Sequence, residues 1–299
     1  MFKKILFILF SFLIFTGNSF SNNDLTSKEI SLQQLLNEII NEKDHQRKMQ
    51  INEEFTVLLH EALTQNNSFS YPFDSLKNIS KLKSPDNQLR IFTWNIPQVN
   101  GQQKYFGFIQ HNSNGITSVF RLNDSKKSIS SAQSQILNPD SWFGAQYYYI
   151  HETTVNNKTF YTLLGIDLND YFTTRRIIDI LYFSDAGEII FGHPLFKIGN
   201  NVIKRVIFEY SSKASLSLKW VDKHQMLIFN HLTPLKPEYE GNYQFYVPAL
   251  TFDGFRFTDG YWVYATDIDV RNPHRENRPN PVVPPEENVE PGFIYKSDL

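Results

Sequence analysis

The sequence predicts a mainly β protein: an antiparallel meander of about thirteen strands, a two-layer sandwich or curled sheet, with an N-terminal helical pair. Three observations predict it. Between residues 88 and 269, short apolar runs alternate with turn residues. No helical crossover interrupts them, and parallel strands need such crossovers. Helical periodicity is confined to the residues before that stretch.

The helical pair comes first. Leu32, Leu35, Leu36, Ile39 and Ile40 fall on one helical face, with Ser31 as N-cap. Residues 22–30 read as a loose lead-in. A second helix is expected over about Gln46–Thr64, with Ile51, Phe55, Leu58, Leu59, Ala62 and Leu63 as its stripe and Asp44-His45 at the join. Residues 65–86 carry Pro72, Pro85 and many Asn and Ser, and read as irregular.

The strands follow in hairpins. Leu89–Ile96 leads. Lys104–Gln110 and Ile116–Leu122 flank Asn114-Gly115, a type I′ signal. A polar connector covers 123–138, and Asn138-Pro139-Asp140 sets a turn before Trp142. Gln146–Thr154 and Thr159–Asp167 flank Asn156-Asn157. Arg176–Phe183 and Glu188–Phe191 flank Asp185-Ala186-Gly187. Val202–Tyr210 and Ala214–Trp220 flank Ser211-Ser212-Lys213. Gln225–Asn230, Tyr243–Val247, Thr251–Phe257 and Tyr261–Thr266 close the set, the last two joined by Asp259-Gly260. Domain organisation reads as 1–21 signal peptide, 22–87 helical region and linker, 88–269 β domain, and 270–299 a Pro-rich, extended tail.

The leader sets an address. Lys3 and Lys4 precede the apolar run Ile5–Phe15, and Ser19 and Ser21 occupy the −3 and −1 positions of a cleavage site. The apolar run is shorter than the ~20 residues of a spanning helix, and no later segment reaches that length. The expectation is an exported chain, periplasmic or envelope-associated, with no transmembrane segment in its mature form. The full chain has 299 residues, no Cys and a net charge of −2. Without Lys3 and Lys4, 27 basic residues face 31 acidic ones. That balance argues against a nucleic-acid partner. The absence of Cys excludes disulfides, thiolate metal sites and a cysteine nucleophile, so the core must carry stability alone.

Candidate chemistry is sparse. Asp267, Asp269 and Asn272 form an acidic D-x-D-x-x-N run whose oxygens suit Ca²⁺, although the EF-hand pattern is not met. No other cofactor is indicated. Asp167 and Asp170, ahead of Arg175 and Arg176, offer a carboxylate pair for glycoside hydrolysis; the alternative is turn capping by Asp170 and an Asp167–Arg ion pair. Asp185, Asp222, Asp253 and Asp259 fall at or near predicted turns, where Asp bonds to local backbone. His60-Glu61 lacks the second His of a zinc-protease helix, since Thr64 stands there. His111, His151, His193, His224 and His231 are scattered near strand ends. No G-x-S-x-G elbow or phosphate-binding loop occurs. The 26 Phe, 15 Tyr and 4 Trp are abundant enough to build either a core or a stacking surface. Tyr148, in the run Tyr147-Tyr148-Tyr149, and Trp262 are the candidate ligand-stacking residues, because alternation turns neighbouring strand residues to opposite faces.

The segments Trp142-Phe143-Gly144-Ala145, Thr162-Leu163-Leu164-Gly165-Ile166-Asp167, Phe208-Glu209-Tyr210-Ser211, Tyr243-Gln244-Phe245-Tyr246 and Asp267-Ile268-Asp269-Val270-Arg271-Asn272 resemble an uncharacterised family of exported bacterial proteins. The resemblance implies a Gram-negative-type envelope and no particular site residue. The functional expectation is a non-enzymatic exported binding or scaffold protein, with an envelope protein or glycan as partner. The alternatives are a hydrolase of envelope or extracellular polymers using paired carboxylates, or a small-ligand or lipid carrier.

Overall fold

The computed structural model describes residues 19–113 and 115–270. Residues 1–18, where the charged start and apolar run of the expected leader fall, and the proline-rich segment from residue 271 lie outside the described residues. Ser19 to Ile268 belong to one compact unit; Asp269 and Val270 belong to a second.

Helix α1 spans Ser19–Asn41 and α2 spans His45–Leu63. The expected N-cap at Ser31 is corrected: Ser31 lies inside α1, its hydroxyl donating to Ser27 O at 3.2 Å. The lead-in is helical because the buried stripe reaches back to Leu25, through Leu32, Leu36 and Ile39. Asp44 caps α2, accepting from Arg47 N at 2.7 Å.

Among the described residues fifteen strands form three sheets. The first contains β1 (Ser80–Lys83), β2 (Leu89–Pro97), β3 (Gln103–Ser113) and β4 (Ile116–Asn123), in that order. The second has the order β11-β7-β6-β5, built from β5 (Gln146–Val155), β6 (Lys158–Asp167), β7 (Thr173–Phe183) and β11 (Arg205–Ser211), with β8 (Ile189–Phe191) on β7. The third has the order β10-β9-β15-β14-β13-β12. Its strands are β9 (Phe196–Ile198), β10 (Asn201–Ile203), β12 (Leu218–Val221), β13 (Met226–Pro234), β14 (Tyr246–Thr258) and β15 (Tyr261–Ala265). Pairing is antiparallel except between β15 and β9, which run parallel.

Four layers stack. One apolar cluster joins α1 and α2 to Phe92, Trp94, Phe106 and Phe108 of the first sheet. The opposite face of that sheet, with Leu89, Ile91 and Ile109, packs on Tyr161, Leu163, Ile177 and Leu181 of the second. The second sheet's other face, with Phe160, Leu164, Ile178 and Ile180, packs on Phe229, Phe255 and Trp262 of the third. The expected two layers of sheet are therefore three. Both inner sheets are covered on both faces, so β2, β6 and β7 are buried along most of their length rather than at alternate residues.

The segment expected to be irregular supplies β1, which pairs with β2. The expected strand Val202–Tyr210 divides at Lys204 between two sheets. The expected hairpin at Ser211-Ser212-Lys213 is a crossover instead: β11 pairs with β7, and β12 pairs with β13. The turns at Asn156-Asn157 and Asp259-Gly260 are as expected, with positive φ at all four residues.

The three consecutive tyrosines are accommodated by an irregularity. The pairing of β5 with β6 slips between Tyr147 and Tyr149. Tyr147 enters the second cluster, and Tyr149 packs against the third.

Candidate functional site

At one end of the stack three connections meet. The β2–β3 turn is closed by Gly101 N donating to Gln98 O at 2.9 Å, with Gly101 at φ 80°. In the β6–β7 turn, Asp170 Oδ1 accepts from Phe172 N at 2.8 Å and Thr173 N at 2.9 Å. Asp170 is thus a turn cap. Ser212 Oγ donates to Tyr171 O at 2.7 Å, and Ser212 N to Phe172 O at 2.9 Å. These bonds fix a loop whose tip is aromatic: Tyr171 is 69% exposed and Phe172 64%. The Tyr171 ring lies on Gly101, so closely that a Cβ there would stand 2.1 Å from Cε2.

Beside this loop is a groove of about 660 Å³, whose lining includes Gln98, Gln102, Asn169, Asp170, Arg175 and Glu209. A second groove of about 430 Å³, flanked by residues 130–134 and Phe143, shares the wall made by Lys126, Arg175 and Glu209.

The wall is built on Asp167, which is fully buried at the end of β6. Its carboxylate accepts from Lys126 Nζ at 2.7 Å, Asn169 N at 2.9 Å and Arg175 Nη1 at 3.4 Å. Arg175 Nε also donates to Glu209 Oε2 at 2.8 Å, and Thr173 Oγ1 donates to Glu209 Oε1 at 2.8 Å. Asp124 accepts from Tyr105 N and Lys126 N; burial raises its pKa above the usual carboxylate range. Gly144 leaves room for that carboxylate, 2.7 Å from where its Cβ would sit. Burial, then the charge of Asp167, drives the Tyr105 hydroxyl far up. Both oxygens of Asp167 and of Glu209 are held by cations or donors. The arrangement binds and orients polar groups; it presents no free carboxylate pair for acid–base chemistry.

The sequence-predicted site residues are dispersed. Trp262 is fully buried, its indole N–H donating to Thr162 Oγ1 at 3.0 Å, so its faces serve the core. Tyr148 is 36% exposed, but its hydroxyl donates to Leu218 O at 2.9 Å and Arg176 sits over its ring. Burial pushes that hydroxyl up to about 12. Asp267 follows β15 at φ 54°, its N–H donating to Asp253. Asp269 lies in the second unit, and Asn272 lies outside the described residues. Among the described residues no group of three or more His, Asp or Glu is placed to hold a metal ion.

Asp253 is a correction of a different kind. It is not at a turn but buried within β14. It accepts from Tyr264 Oη at 2.6 Å and faces His231 Nδ1 at 2.7 Å. His231 occupies an irregularity in β13, between Asn230 and Leu232. A carboxylate that orients an imidazole is half of an acid–base device. Among the described residues no hydroxyl nucleophile bonds to His231.

No family model, curated protein or solved structure matches this chain. The site must be read from its own geometry. Sequence reasoning passed over Tyr171. The signal available was an adjacent aromatic pair, Tyr171-Phe172, in a turn rather than in a strand.

Proposed function

We propose that the protein is an exported, non-enzymatic binding protein of the bacterial envelope, and that its ligand is a glycan held in the groove beside Tyr171. The observation that carries this reading is the Tyr171 ring, packed on Gly101 yet 69% exposed, on the loop that borders the groove. An immobilised aromatic face next to amide and carboxylate side chains suits a polyhydroxylated ring. The apolar sugar face stacks, and Gln98, Gln102, Asn169 and Asp170 meet the hydroxyls. Little side-chain entropy is lost on binding, because the loop is already fixed. The hydrolase alternative loses support from the engagement of Asp167 and Glu209 with Lys126, Arg175 and Thr173. The carrier alternative loses support from the polar lining of the groove beside Tyr171.

The test is calorimetric titration of the full chain with peptidoglycan fragments, chitooligosaccharides and neutral glucans. One class should bind, and Tyr171→Ala should weaken it by about tenfold or more, with Tyr148→Ala without effect. Binding to none of these, or equal binding by Tyr171→Ala, would overturn the reading.

A further inference from the structure

The first sheet ends on β4, an eight-residue edge with no strand paired on its outer side among the described residues. The edge strands β1, β8, β10 and β12 have only three or four residues each. The edge of β5 lies along β1, and β11 is flanked by the turn at Tyr243–Phe245. On β4 only the C-terminal end is met, where Asp124 bridges to Trp142.

The direction of the free groups follows from the register. Ser113 pairs with Ile116 across a two-residue turn, which makes them a hydrogen-bonded pair. Alternation then turns the N–H and C=O of Thr117, Val119 and Arg121 outward. Ser125 N donating to Trp142 O at 2.9 Å fits the same parity. No described backbone group bonds to the outer side of Thr117–Arg121.

Isolated edges are normally protected by lysine, proline, a bulge or shortness. β4 has eight residues, no Lys, no Pro and an unbroken register with β3. Its single charge, Arg121, is taken by Glu53 of α2 in a two-pronged pair at 3.1 and 2.9 Å. Apolar side chains flank the edge on both sides of the sheet. On the helix side are Val57, 50% exposed, and Leu58. On the other side Ile136, Ile189 and Ile190 line a groove of about 660 Å³ beside Val119 and Phe120.

We propose that β4 pairs with β4 of a second copy of this chain, antiparallel about a twofold axis at Val119. The strand is complementary to itself in that register. Outward-facing residues meet outward-facing residues, Val119 meets Val119, and Thr117 meets Arg121. No charge opposes its like. The glutamates around Val57 also carry no uncompensated charge into the contact: Glu53, Glu54 and Glu61 are paired with Arg121, Arg47 and Lys28. Such a contact is isologous and closes at two copies. The first sheet becomes eight-stranded across the axis.

The absence of Cys makes the test clean. Val119→Cys places two thiols on directly opposed residues, about 5.5 Å apart at Cα, which a disulfide spans. Ser118→Cys places its thiol opposite Phe120. Under mild oxidation Val119→Cys should give a covalent dimer and Ser118→Cys should not. The full chain should show a dimer mass by light scattering, and Val119→Pro, which removes the central outward N–H, should be monomeric with unchanged circular dichroism. A monomeric wild-type chain, equal cross-linking by both cysteine variants, or a dimeric, folded Val119→Pro would each overturn the proposal. If Val119→Pro fails to fold, the two cysteine variants still decide.

Discussion

Asp179 and Arg205 stand directly opposite each other on β7 and β11, both fully buried, with Arg205 Nε donating to Asp179 Oδ2 at 2.7 Å. The pair sits on the face of the second sheet that meets the first. Asp179 also accepts from Ile180 N, and Arg205 Nη1 donates to Ala132 O. Arg205 Nη2 is buried with no partner among the described residues. Burial raises the Asp179 carboxyl, and the guanidinium pulls it back down. Breaking such a pair leaves a lone buried charge, whereas replacing both members is tolerated far better. Arg205→Met should therefore cost roughly 3–5 kcal/mol. The double variant Asp179→Leu/Arg205→Met should recover most of that loss in chemical denaturation.

Gly101 should tolerate no side chain. Its φ of 80° strains an L-residue, and a Cβ would strike the Tyr171 ring. Gly101→Ala is expected to lose about 1–2 kcal/mol from backbone conformation. It should also swing the ring off its seat. Thermal denaturation reads the first effect, and glycan affinity reads the second.

Asn52 is 1% exposed on α2 and accepts from Trp94 Nε1 at 2.8 Å. It ties the helical layer to the first sheet through an otherwise apolar cluster. Asn52→Leu should orphan the indole N–H at a cost of about 1–3 kcal/mol. Trp94 fluorescence should shift to the blue as its polar partner is lost. An unchanged denaturation midpoint would show that the bond contributes nothing net.

Acid should weaken the fold through three histidines. His151 lies between Trp220 and Trp262, with ring centroids 4.1 and 5.6 Å away. His111 stacks on Phe183 at 3.7 Å, and His193 packs on Phe160 at 4.6 Å. Burial lowers all three pKa values below 6.5; Lys158 and Lys204 lower His193 further, while Asp222 and Asp86 partly offset the effect at His151 and His111. The unfolded chain then binds protons first as pH falls, so this stability is complete above about 6.5 and is lost below it, until the folded-state values are reached. Melting temperature should decline between about pH 7 and pH 5, and proton NMR of the imidazoles should place all three midpoints below 6.5.

Much of the fold is local and was therefore legible. Asn156-Asn157 and Asp259-Gly260 adopt the positive φ that a tight hairpin demands, whatever the rest of the chain does. The apolar stripe of α2 is set by spacing alone. Sheet membership is not local. Ser211-Ser212-Lys213 has turn chemistry, but a crossover between sheets uses the same residues as a hairpin. β1 escaped because its four residues include two lysines and none is fully buried. The third layer was foreshadowed in Phe160–Leu164 and Ile177–Leu181, where apolar residues fall on both faces of the strand and so call for cover on both. Of the site, Asp170 as a turn cap and the Asp167–Arg175 pair followed from residue chemistry. Tyr171 did not, because its role depends on Gly101, seventy residues away in the chain.

The enclosed second sheet also bears on how the chain meets proteases. Cleavage needs a stretch of backbone drawn out of its hydrogen bonds, and β6 and β7 are covered above and below and paired on both sides. One accessible substrate is the connector around residues 129–135, and even there Gln133 O is held by Lys204 N and Arg205 N at 2.8 and 3.3 Å. A nick at that point would leave two fragments that meet across one apolar layer, the cluster between the first and second sheets. A chain with no disulfide would then survive as a noncovalent complex, separable only by denaturant.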